Sequence, residues 1–515
     1  MPPEDSRTSM LSHSVSDPFP DPPPAFNMAA HVLSAAQDRP DKPALVIAGD
    51  SPSEMTFGQL RRAVLEQATC LLAKGLRPGD RLLMRLGNTV DFPIIYLASI
   101  AVGIVPVPTS AALTKGEVDV LCAQIKPALT VYSDGIACPS SSQPTVHVDD
   151  IRPDDTTPMA AFAMGDPDRP AYIIFTSGTS GRPTPVVHAH RAIWARQMMI
   201  DGWYGMVDTD RILHAGAFNW TYTLGTGLMD PWTVGATAIV AQDGTPTDAL
   251  PHLLRQQRAT IFAAAPGVYR RMLRGDLSGL TDLRHGLSAG EKLAEDYKSA
   301  WQSKTGTDIY EAFGMSECST FISGAPGHPA PPGASGFAQP GRKVAIIGPD
   351  GPVPRGEPGT IAIHKSDPGL MLGYYEAPKE TAARFQGDWF MTGDIGIMDS
   401  DGAITYAGRA DDMMNAGGYR VSPVEVEDAL TAHPLISEAA AAAVQIRTGT
   451  VIIAGFYVAT DVIDEDELRS FVSERLASYK CPRLFVAKDA LPRGANNKLL
   501  RRVLRAEWEA AYGQT

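Results

Sequence analysis

The chain has 515 residues and a mass of 55.0 kDa, with 44% apolar and 20% charged residues. This composition is typical of a folded globular protein of two or three domains and excludes a disordered or fibrous chain. The 45 Lys and Arg residues against 58 Asp and Glu residues give a net charge of −13, so nucleic acid is not an expected partner. A small anionic ligand would need a local cluster of backbone amides or a few well-placed cations.

The N-terminal residues and the cysteines indicate a cytoplasmic protein. Residues 1–25 are rich in Pro and Ser and lack an apolar stretch after a basic start, which predicts a disordered lead without a targeting signal. The uncharged run 92–114 contains three prolines and predicts a buried helix followed by a buried strand rather than a membrane-inserted segment. The scattered cysteines favour a reducing compartment and no zinc site; they are Cys70, Cys122, Cys138, Cys318 and Cys481.

The apolar pattern, taken in chain order, predicts an α/β fold. From residue 26 onward, helical patterns such as 60–75 alternate with short apolar strands, which is the rhythm of a mostly parallel sheet covered by helices. Residues 335–410 change to short strands with tight turns and predict a β-rich subdomain. We therefore expect a large multi-layer N-terminal domain over 26–410 and a small α+β domain over 411–515.

The strongest local signal is the segment Tyr172–Pro183, with the sequence YIIFTSGTSGRP. An apolar strand runs there into a loop with two glycines and four hydroxyl side chains, which can offer amides and hydroxyls to phosphate oxygens. The spacing of a Walker P-loop is absent. An ordinary Ser/Gly surface loop is the alternative for this segment taken alone.

Five motifs in order resemble those of the adenylate-forming superfamily, which includes acyl-CoA synthetases, adenylation domains of peptide synthetases and luciferases. Residues 172–190 resemble its phosphate loop. The other four are its second nucleotide motif, its ribose-binding turn, its hinge and thiol-tunnel region and its C-terminal lysine motif, which are matched by residues 310–317, 387–394, 406–427 and 491–505. The resemblance covers roughly residues 28–508 and is greatest to acyl-CoA synthetases of the medium-chain or benzoate type.

The resemblance implies a reaction in two halves, with ATP, Mg²⁺ and CoA as cofactors. A carboxylate attacks the α-phosphate of ATP to give an acyl-adenylate and pyrophosphate, and the CoA thiol then attacks the activated carbonyl and releases AMP. Lys498 matches the catalytic lysine, which offsets the repulsion between the two reacting anions. Asp411 matches the hinge about which the mobile C-terminal domain rotates between the halves. A surface lysine on an amphipathic tail is the alternative for Lys498.

The same resemblance assigns roles to four further side chains and one hydroxyl ligand. Glu317 would hold Mg²⁺, a hard cation that prefers oxygen ligands, together with the Thr179 hydroxyl. Ser316 stands where Thr is commoner and keeps a hydroxyl for the α-phosphate. Asp394 would accept hydrogen bonds from the ribose hydroxyls, and Arg409 would contact the ribose or the phosphate. Structural ion pairs are the alternative for these charged residues.

The remaining nucleotide and CoA contacts are also implied by the resemblance. The expected ATP-binding residues are Thr176, Ser177, Gly178, Thr179, Ser180, Gly181, Gly290, Glu291, Phe313 and Gly314. The expected residues of the thiol tunnel are Gly417, Gly418, Tyr419 and Arg420. Glycine lets the pantetheine arm pass close to the backbone, although a simple turn would also explain the glycine pair.

The acyl pocket is expected from the helix that follows the strand RILHAGAF and from the second nucleotide motif. Its candidate residues are Phe218, Trp220, Tyr222, Ala265, Gly314 and Met315. The indole of Trp220 would limit the depth of the pocket, and no Asp stands where amino-acid-activating domains bind an α-amino group. We therefore expect a small to medium acid, aromatic or aliphatic; plain core packing is the alternative for the aromatic residues.

Two departures from the family pattern leave other functions open. Thr184 and Pro185 replace the usual Lys-Gly of the phosphate loop, with Arg182 as a candidate substitute cation, and Asn497 replaces the Gly before the lysine. The expected function is an AMP-forming acyl-CoA synthetase whose partners are a carboxylic acid, ATP and CoA. The alternatives are an enzyme that loads a carrier protein and a non-catalytic nucleotide- or acyl-binding homologue. A homodimer is left open.

Overall fold

The computed structural model describes residues 10–14, 17, 19–49, 52–140, 143–176, 183–242, 244–410, 412–416, 419–447, 450–476, 478, 480–494 and 499–512, with the backbone alone for residues 415, 416, 419, 420, 447 and 450. Contacts divide the chain into two compact units. The larger unit comprises residues 14–344 and 363–390, and the smaller unit comprises residues up to 13, 345–362 and 391–515.

The strands are numbered in chain order. Those before residue 300 are β1 Pro43–Ala48, β2 Ser53–Thr56, β3 Arg81–Arg85, β4 Val105–Pro108, β5 Leu129–Tyr132, β6 Thr145–His147, β7 Pro170–Thr176, β8 Thr184–Ala189, β9 Arg211–His214, β10 Thr237–Ala241, β11 Ile261–Ala264 and β12 His285–Ala289. Those after it are β13 Ile309–Met315, β14 Ser319–Ser323, β15 Phe337–Ala338, β16 Val344–Gly348, β17 Gly351–Pro352, β18 Pro358–His364, β19 Gly373–Tyr374, β20 Phe385–Gln386, β21 Trp389–Met398, β22 Ile404–Arg409, β23 Met414–Ala416, β24 Tyr419–Val421, β25 Ile436–Arg447, β26 Thr450–Ala459 and β27 Leu484–Ala487.

The α-helices are numbered in the same way. They are α1 Met28–Val32, α2 Phe57–Ala73, α3 Asp91–Ala101, α4 Lys115–Ile125, α5 Ala192–Ala195, α6 Thr221–Leu224, α7 Asp230–Val234, α8 Leu250–Gln256, α9 Pro266–Met272, α10 Glu295–Thr305, α11 Pro378–Ala382, α12 Pro423–Thr431, α13 Glu465–Ser473 and α14 Arg501–Tyr512. Single 3₁₀ turns lie at Ser34–Ala36, Val148–Ile151 and Thr247–Ala249, and single π turns at Ile200–Tyr204 and Gly225–Met229.

The larger unit is built on mostly parallel sheets, which confirms the predicted α/β class. A nine-stranded sheet has the order β15-β14-β13-β12-β11-β9-β10-β1-β2, in which β1, β10, β9, β11, β12 and β13 run parallel and the outer strands are antiparallel. A parallel four-stranded sheet has the order β4-β3-β5-β6. An antiparallel three-stranded sheet, β19-β8-β7, completes the unit.

Local sequence explains why the first long helices form where they do. α2 begins at a capping box in which Thr56 and Gln59 satisfy each other's backbone amides, and α4 begins at a second one formed by Thr114 and Glu117. α3 is apolar on every side and buried along nearly its whole length, as expected for a core helix. The uncharged run therefore folds as a buried helix and the buried strand β4, as predicted. No described helix has the length and apolarity to span a membrane.

The smaller unit contains β-rich and α+β parts. Strands β16, β17, β18, β21 and β22 belong to one sheet, in agreement with the predicted β-rich texture of 335–410. The three-stranded sheet β25-β26-β27 is covered by α12 and α14 around a separate apolar core. The contact-based division differs from the predicted boundary near residue 410, since segments of the β-rich region group with the C-terminal residues.

Part of the lead over residues 1–25, which the sequence predicts to be disordered, makes specific contacts in the structure. Ser12 is fully buried, donates its amide hydrogen to Val353 O at 2.8 Å and accepts at its carbonyl from Ile346 N at 2.8 Å. Further along, the Trp194 indole donates to Pro20 O at 2.8 Å. Composition indicated too little apolar surface for a core, but it could not show that backbone pairing with a strand edge orders such a segment.

Candidate active site

The hairpin formed by β13 and β14 requires a glycine at position 314. Gly314 pairs with Thr320, and Met315 with Ser319, whose φ of 62° lies in the left-handed region. A Cβ on Gly314 would lie 2.2 Å from Ser319 O and 2.5 Å from Thr320 Cα. Only glycine allows this close approach of the two backbones. The hairpin turn thereby carries the next two motif residues, Ser316 and Glu317.

Glu317 is buried and held through both its backbone and its side chain. The residue is only 7% exposed. Its Oε1 accepts a hydrogen bond from the Tyr374 hydroxyl at 2.9 Å. Its carbonyl oxygen accepts from Met371 N at 2.7 Å. Buried carboxylates are costly unless they are paired or bind a metal. No cation of a described residue pairs with this one, so the alternative of a structural ion pair finds no support.

His188 joins the strand that follows the phosphate loop to the second nucleotide motif. Its Nε2–H donates to Ser316 O at 2.7 Å, and its ring stacks on Tyr172 with centroids 4.8 Å apart. The two stacked residues are cross-strand partners on β7 and β8. Burial lowers the pKa of His188 to about 4, so the imidazole is neutral and its Nε2 carries the proton.

The segment that binds the Glu317 backbone is itself fixed by arginines. Arg191 donates to Pro368 O and, at 3.0 Å, to Leu370 O. Arg342 and Asp367 form an ion pair in which both side chains are fully buried. Backbone carbonyls and a buried ion pair thus anchor residues 367–371 next to the candidate metal ligand.

Behind the hairpin lies a buried charged network that sequence analysis did not identify. Arg196 binds Asp230 through two hydrogen bonds of 2.8 and 2.6 Å and also donates to Ser319 Oγ. The Tyr204 hydroxyl donates to Asp230 at 2.6 Å. A bidentate Arg–carboxylate pair is geometrically specific, and this one supports the left-handed Ser319. The residues are far apart in sequence and belong to no motif, so no sequence signal pointed to them.

The residues predicted to hold the adenine lie at the end of β12. Gly290 follows this strand with φ of +100°, and a Cβ there would lie 2.9 Å from Trp220 Cζ2. Phe313 packs edge-on against Phe321, with ring centroids 5.4 Å apart. Glu291 follows Gly290 directly. Gly290, Phe313 and Gly314 thus lie at the carboxyl ends of the neighbouring parallel strands β12 and β13. Ligands of α/β proteins bind at this edge of the sheet.

The structure separates the aromatic candidates of the acyl pocket into two groups. Trp220 and Tyr222 pack edge to face, with ring centroids 5.1 Å apart. They lie in the apolar cluster that also contains Ala289 and Ala312. Phe218 is fully buried and packs on Phe92 in the main core of the larger unit. The core-packing alternative therefore describes Phe218. Ala265 directly follows β11 and Met315 ends β13; both are half-buried.

In the smaller unit, the two residues predicted to contact the ribose are cross-strand neighbours. Asp394 on β21 pairs in register with Arg409 on β22, and Arg409 Nη1 lies 3.5 Å from Asp394 Oδ2. Asp394 is 6% exposed, and the adjacent Gly393 has φ of +80°. This long ion pair is the alternative considered from sequence.

A second network in the smaller unit includes Arg501, which lies within the lysine motif. Arg501, the first residue of α14, binds Glu427 of α12 through two hydrogen bonds of 2.6 Å and reaches Asp412 at 3.4 Å. Burial raises the pKa of Glu427, and Arg501 opposes this rise. The network connects the lysine motif with two residues of the hinge and thiol-tunnel motif, a pairing that the motifs alone did not predict.

Several predicted residues lie outside the described residues. They are Ser177, Gly178, Thr179, Ser180, Gly181, Arg182, Asp411, Gly417, Gly418, Asn497 and Lys498. Of the flanking residues, Thr176 ends β7 opposite Thr184, and Pro185 of β8 pairs with Phe175 of β7. Tyr419 and Arg420 lie on β24, paired with residues 416 and 415. The departures Thr184 and Pro185 therefore occupy strand positions.

The donor set fits a magnesium ion that is bound mainly by nucleotide and water. No three His, Cys, Asp or Glu side chains of the described residues gather into a metal-binding group. Glu317 instead offers a single buried carboxylate with one oxygen taken by a tyrosine hydroxyl. Mg²⁺ in nucleotide sites is usually held by one or two carboxylates together with phosphates and waters, so one such residue suffices.

The comparisons with known proteins agree with this geometry. Residues 32–375 match the family of AMP-binding enzymes, and residues 425–498 match the AMP-binding enzyme C-terminal domain. The chain is 30% identical to a benzoate–CoA ligase of Thauera aromatica, over 89% of this chain and 92% of the relative. It is 28% identical to the mitochondrial acyl-coenzyme A synthetase ACSM5 of Homo sapiens, over 94% and 91%. The crystal structure of a benzoate CoA ligase from Burkholderia xenovorans LB400 superposes with a TM-score of 0.85 at 29% identity, over 93% and 100%.

This chain belongs to the family of AMP-binding enzymes. The resemblance that the five motifs predicted is confirmed, including the likeness to benzoate-type and medium-chain acyl-CoA synthetases. The predicted architecture of a large N-terminal and a small C-terminal domain is confirmed at the level of the fold.

Proposed function

We propose that this protein is an ATP-dependent acid–CoA ligase that activates a small to medium carboxylic acid as an acyl-adenylate and transfers the acyl group to CoA. The class of AMP-forming acid–thiol ligases is confirmed by the family and by the relatives. The observation that carries the proposal is the buried carboxylate of Glu317, which accepts a hydrogen bond from Tyr374 and has no cationic partner among the described residues.

In the first half-reaction, the protein must bring a carboxylate and a triphosphate together. The loop after β7 would bind the triphosphate with its amides and hydroxyls, and Glu317 with Thr179 would hold Mg²⁺. When bound, that ion would supply charge neutralisation at the phosphates during transfer of the adenylyl group. The Ser316 hydroxyl would donate to the α-phosphate, and Lys498 would stabilise the charge that develops between the two anions.

Residues from two separate parts of the sequence would bind the nucleoside. The ends of β12 and β13, with Gly290, Glu291 and Phe313, would hold the adenine. Asp394 would accept hydrogen bonds from the ribose hydroxyls, a role that the matching family motif implies.

In the second half-reaction, the CoA thiol attacks the carbonyl carbon of the adenylate and AMP leaves. Gly417, Gly418, Tyr419 and Arg420 would line the path of the pantetheine arm. Rotation of the C-terminal domain about Asp411 would remove the lysine motif from the active site and bring in the residues that line this path. Both roles are carried over from the family motif.

The acid is proposed to be aromatic or a short- to medium-chain aliphatic one. The half-buried Trp220 packs between Tyr222 and the backbone of Gly290, so a bulky indole limits the depth of the pocket next to the nucleotide. The named relatives act on benzoate or belong to the acyl-coenzyme A synthetases. A cytoplasmic location stays a prediction, as does a homodimer.

The test is acid-dependent release of AMP and pyrophosphate with ATP and Mg²⁺, measured over a panel of benzoates, cyclic acids and C2–C12 fatty acids, with and without CoA. We expect turnover that requires CoA. Lys498→Ala should abolish adenylate formation but retain transfer to CoA from a supplied acyl-adenylate. Lys488→Ala is the matched control, because Lys488 forms only a surface pair with Glu507 at 3.0 Å.

The other outcomes separate the alternatives. Adenylate formation without a CoA thioester would favour an enzyme that loads a carrier protein. Nucleotide binding without any acid-dependent turnover across the panel would favour a non-catalytic homologue. Thr184 and Pro185, which replace the usual Lys-Gly of the phosphate loop, are the sequence features that suggest this alternative.

A further inference from the structure

Tyr374 is fixed by its backbone before its side chain reaches the candidate metal site. It lies on β19 and pairs with Val186 of β8. Its amide donates to Thr381 Oγ1 at 2.9 Å, and Thr381 Oγ1 donates to Ala377 O at 3.0 Å. Strand β19 and the short helix α11 therefore hold the position from which the phenol ring extends.

The Tyr374 hydroxyl is the contact that orients the Glu317 carboxylate. It donates to Oε1 at 2.9 Å, and no other hydrogen bond from a described residue reaches either carboxylate oxygen. The backbone on both sides is fixed separately, by His188 at Ser316 O and by Met371 at Glu317 O. What the backbone leaves free is the set of side-chain rotations of Glu317, and these determine where Oε2 points.

We propose that Tyr374 is a positioning residue for the metal–nucleotide site: its hydroxyl holds Oε1 of Glu317 so that Oε2 is presented to the divalent cation of the metal–ATP complex. This inference rests on the proposed function. Partners that orient a metal ligand from outside typically contribute 10- to 100-fold in metal affinity. Loss of the hydroxyl is therefore expected to weaken binding of the metal–nucleotide complex by about 10-fold, within that range.

The experiment measures binding rather than turnover. Mn²⁺, which shares the oxygen-rich sites of Mg²⁺, is titrated with ATP into the full-length protein without acid, and bound Mn²⁺ is followed by electron paramagnetic resonance. Tyr374→Phe removes only the hydroxyl. Tyr375→Phe is the matched control, since Tyr375 is the next residue and packs against an apolar cluster. Melting temperatures of both variants check that they are folded.

A double-mutant cycle distinguishes positioning from a merely structural role. We expect Tyr374→Phe to weaken Mn²⁺–ATP binding about 10-fold in the wild-type background and less than about twofold in the Glu317→Gln background, because the hydroxyl acts through that carboxylate. Equal losses in both backgrounds, or wild-type affinity of a folded Tyr374→Phe, would overturn the inference. If wild-type protein bound no Mn²⁺–ATP, the proposed function would be overturned as well, whereas an unaffected Tyr374→Phe would leave that function standing.

Discussion

Replacing Gly314 by alanine tests whether hairpin geometry sets the position of Glu317. A Cβ at this position would lie 2.2 Å from Ser319 O and 2.7 Å from Ser319 C. Ordinary van der Waals contact begins near 3.4 Å, so the paired strands must separate by about 1 Å. The obstructing atoms belong to the backbone, and no side-chain rotation can relieve the overlap.

The expected result is a large loss of adenylation with a moderate loss of stability. A displacement of about 1 Å in a catalytic or ligand-holding group can cost about 100-fold in rate, and overpacking of this kind costs about 1–3 kcal/mol of stability. We therefore expect acid-dependent pyrophosphate release by Gly314→Ala to fall about 100-fold while the protein remains folded at 25 °C, as judged by its melting curve.

Gly327→Ala is the matched control in the loop that follows the same hairpin. A Cβ there meets nothing within 4 Å, and Gly327 does not have a positive φ. This variant should retain wild-type activity and melting temperature. If Gly314→Ala kept pyrophosphate release within about threefold of wild type, well short of the expected loss, the reasoning that the hairpin positions Glu317 would be refuted.

Three further predictions concern the acyl pocket, the C-terminal network and pH. Trp220→Ala should raise kcat/KM for larger acids relative to smaller ones in the acid panel, because the indole beside Gly290 is proposed to limit the depth of the acyl pocket; an unchanged ranking would contradict this role. Arg501→Met should destabilise the protein by about 3–5 kcal/mol by leaving the Glu427 carboxylate buried without its partner. Unfolding in urea should show Glu427→Gln restoring most of this loss, and additive losses would argue against the pair. Stability should also fall by about 2 kcal/mol for each of four buried histidines and one half-buried histidine between about pH 7 and pH 5. Burial lowers the pKa of each from 6.5 to about 3 or 4, so below pH 6.5 the unfolded chain binds protons that the folded chain does not; they are His31, His188, His190, His214 and His285. A slope of unfolding free energy against pH equivalent to less than about one proton would contradict this prediction.

The sequence predicted the features that depend on neighbouring residues. Hydrophobic periodicity identified the buried helix α3 and the parallel α/β rhythm, because a buried helix and a buried strand each leave a local pattern. The order of the motifs identified the family, and with it Glu317, Asp394 and Arg409. Gly314 stood within one of those motifs and Gly290 was implied by the same resemblance; the structure shows the close backbone approach at Gly314 and the positive φ at Gly290.

Local patterns could not distinguish the two environments of an aromatic side chain. Phe218 and Trp220 are two residues apart, yet Phe218 packs in the main core and Trp220 packs beside Gly290. Hydrophobicity is the same signal in both cases. The order of residues 10–14 was missed for a related reason, because backbone pairing at a strand edge depends on a distant strand and leaves no mark on composition.

What the sequence alone determined is therefore the family and the α/β class, together with a set of candidate residues for the reaction. Only the tertiary structure decided how those residues are held. Tyr374 reaches Glu317 from 57 positions away, His188 reaches Ser316 from 128, and Arg196 reaches Asp230 from 34. Such contacts depend on the packing of strands and helices that are remote in the chain, and no local propensity or motif spacing encodes which pairs will meet.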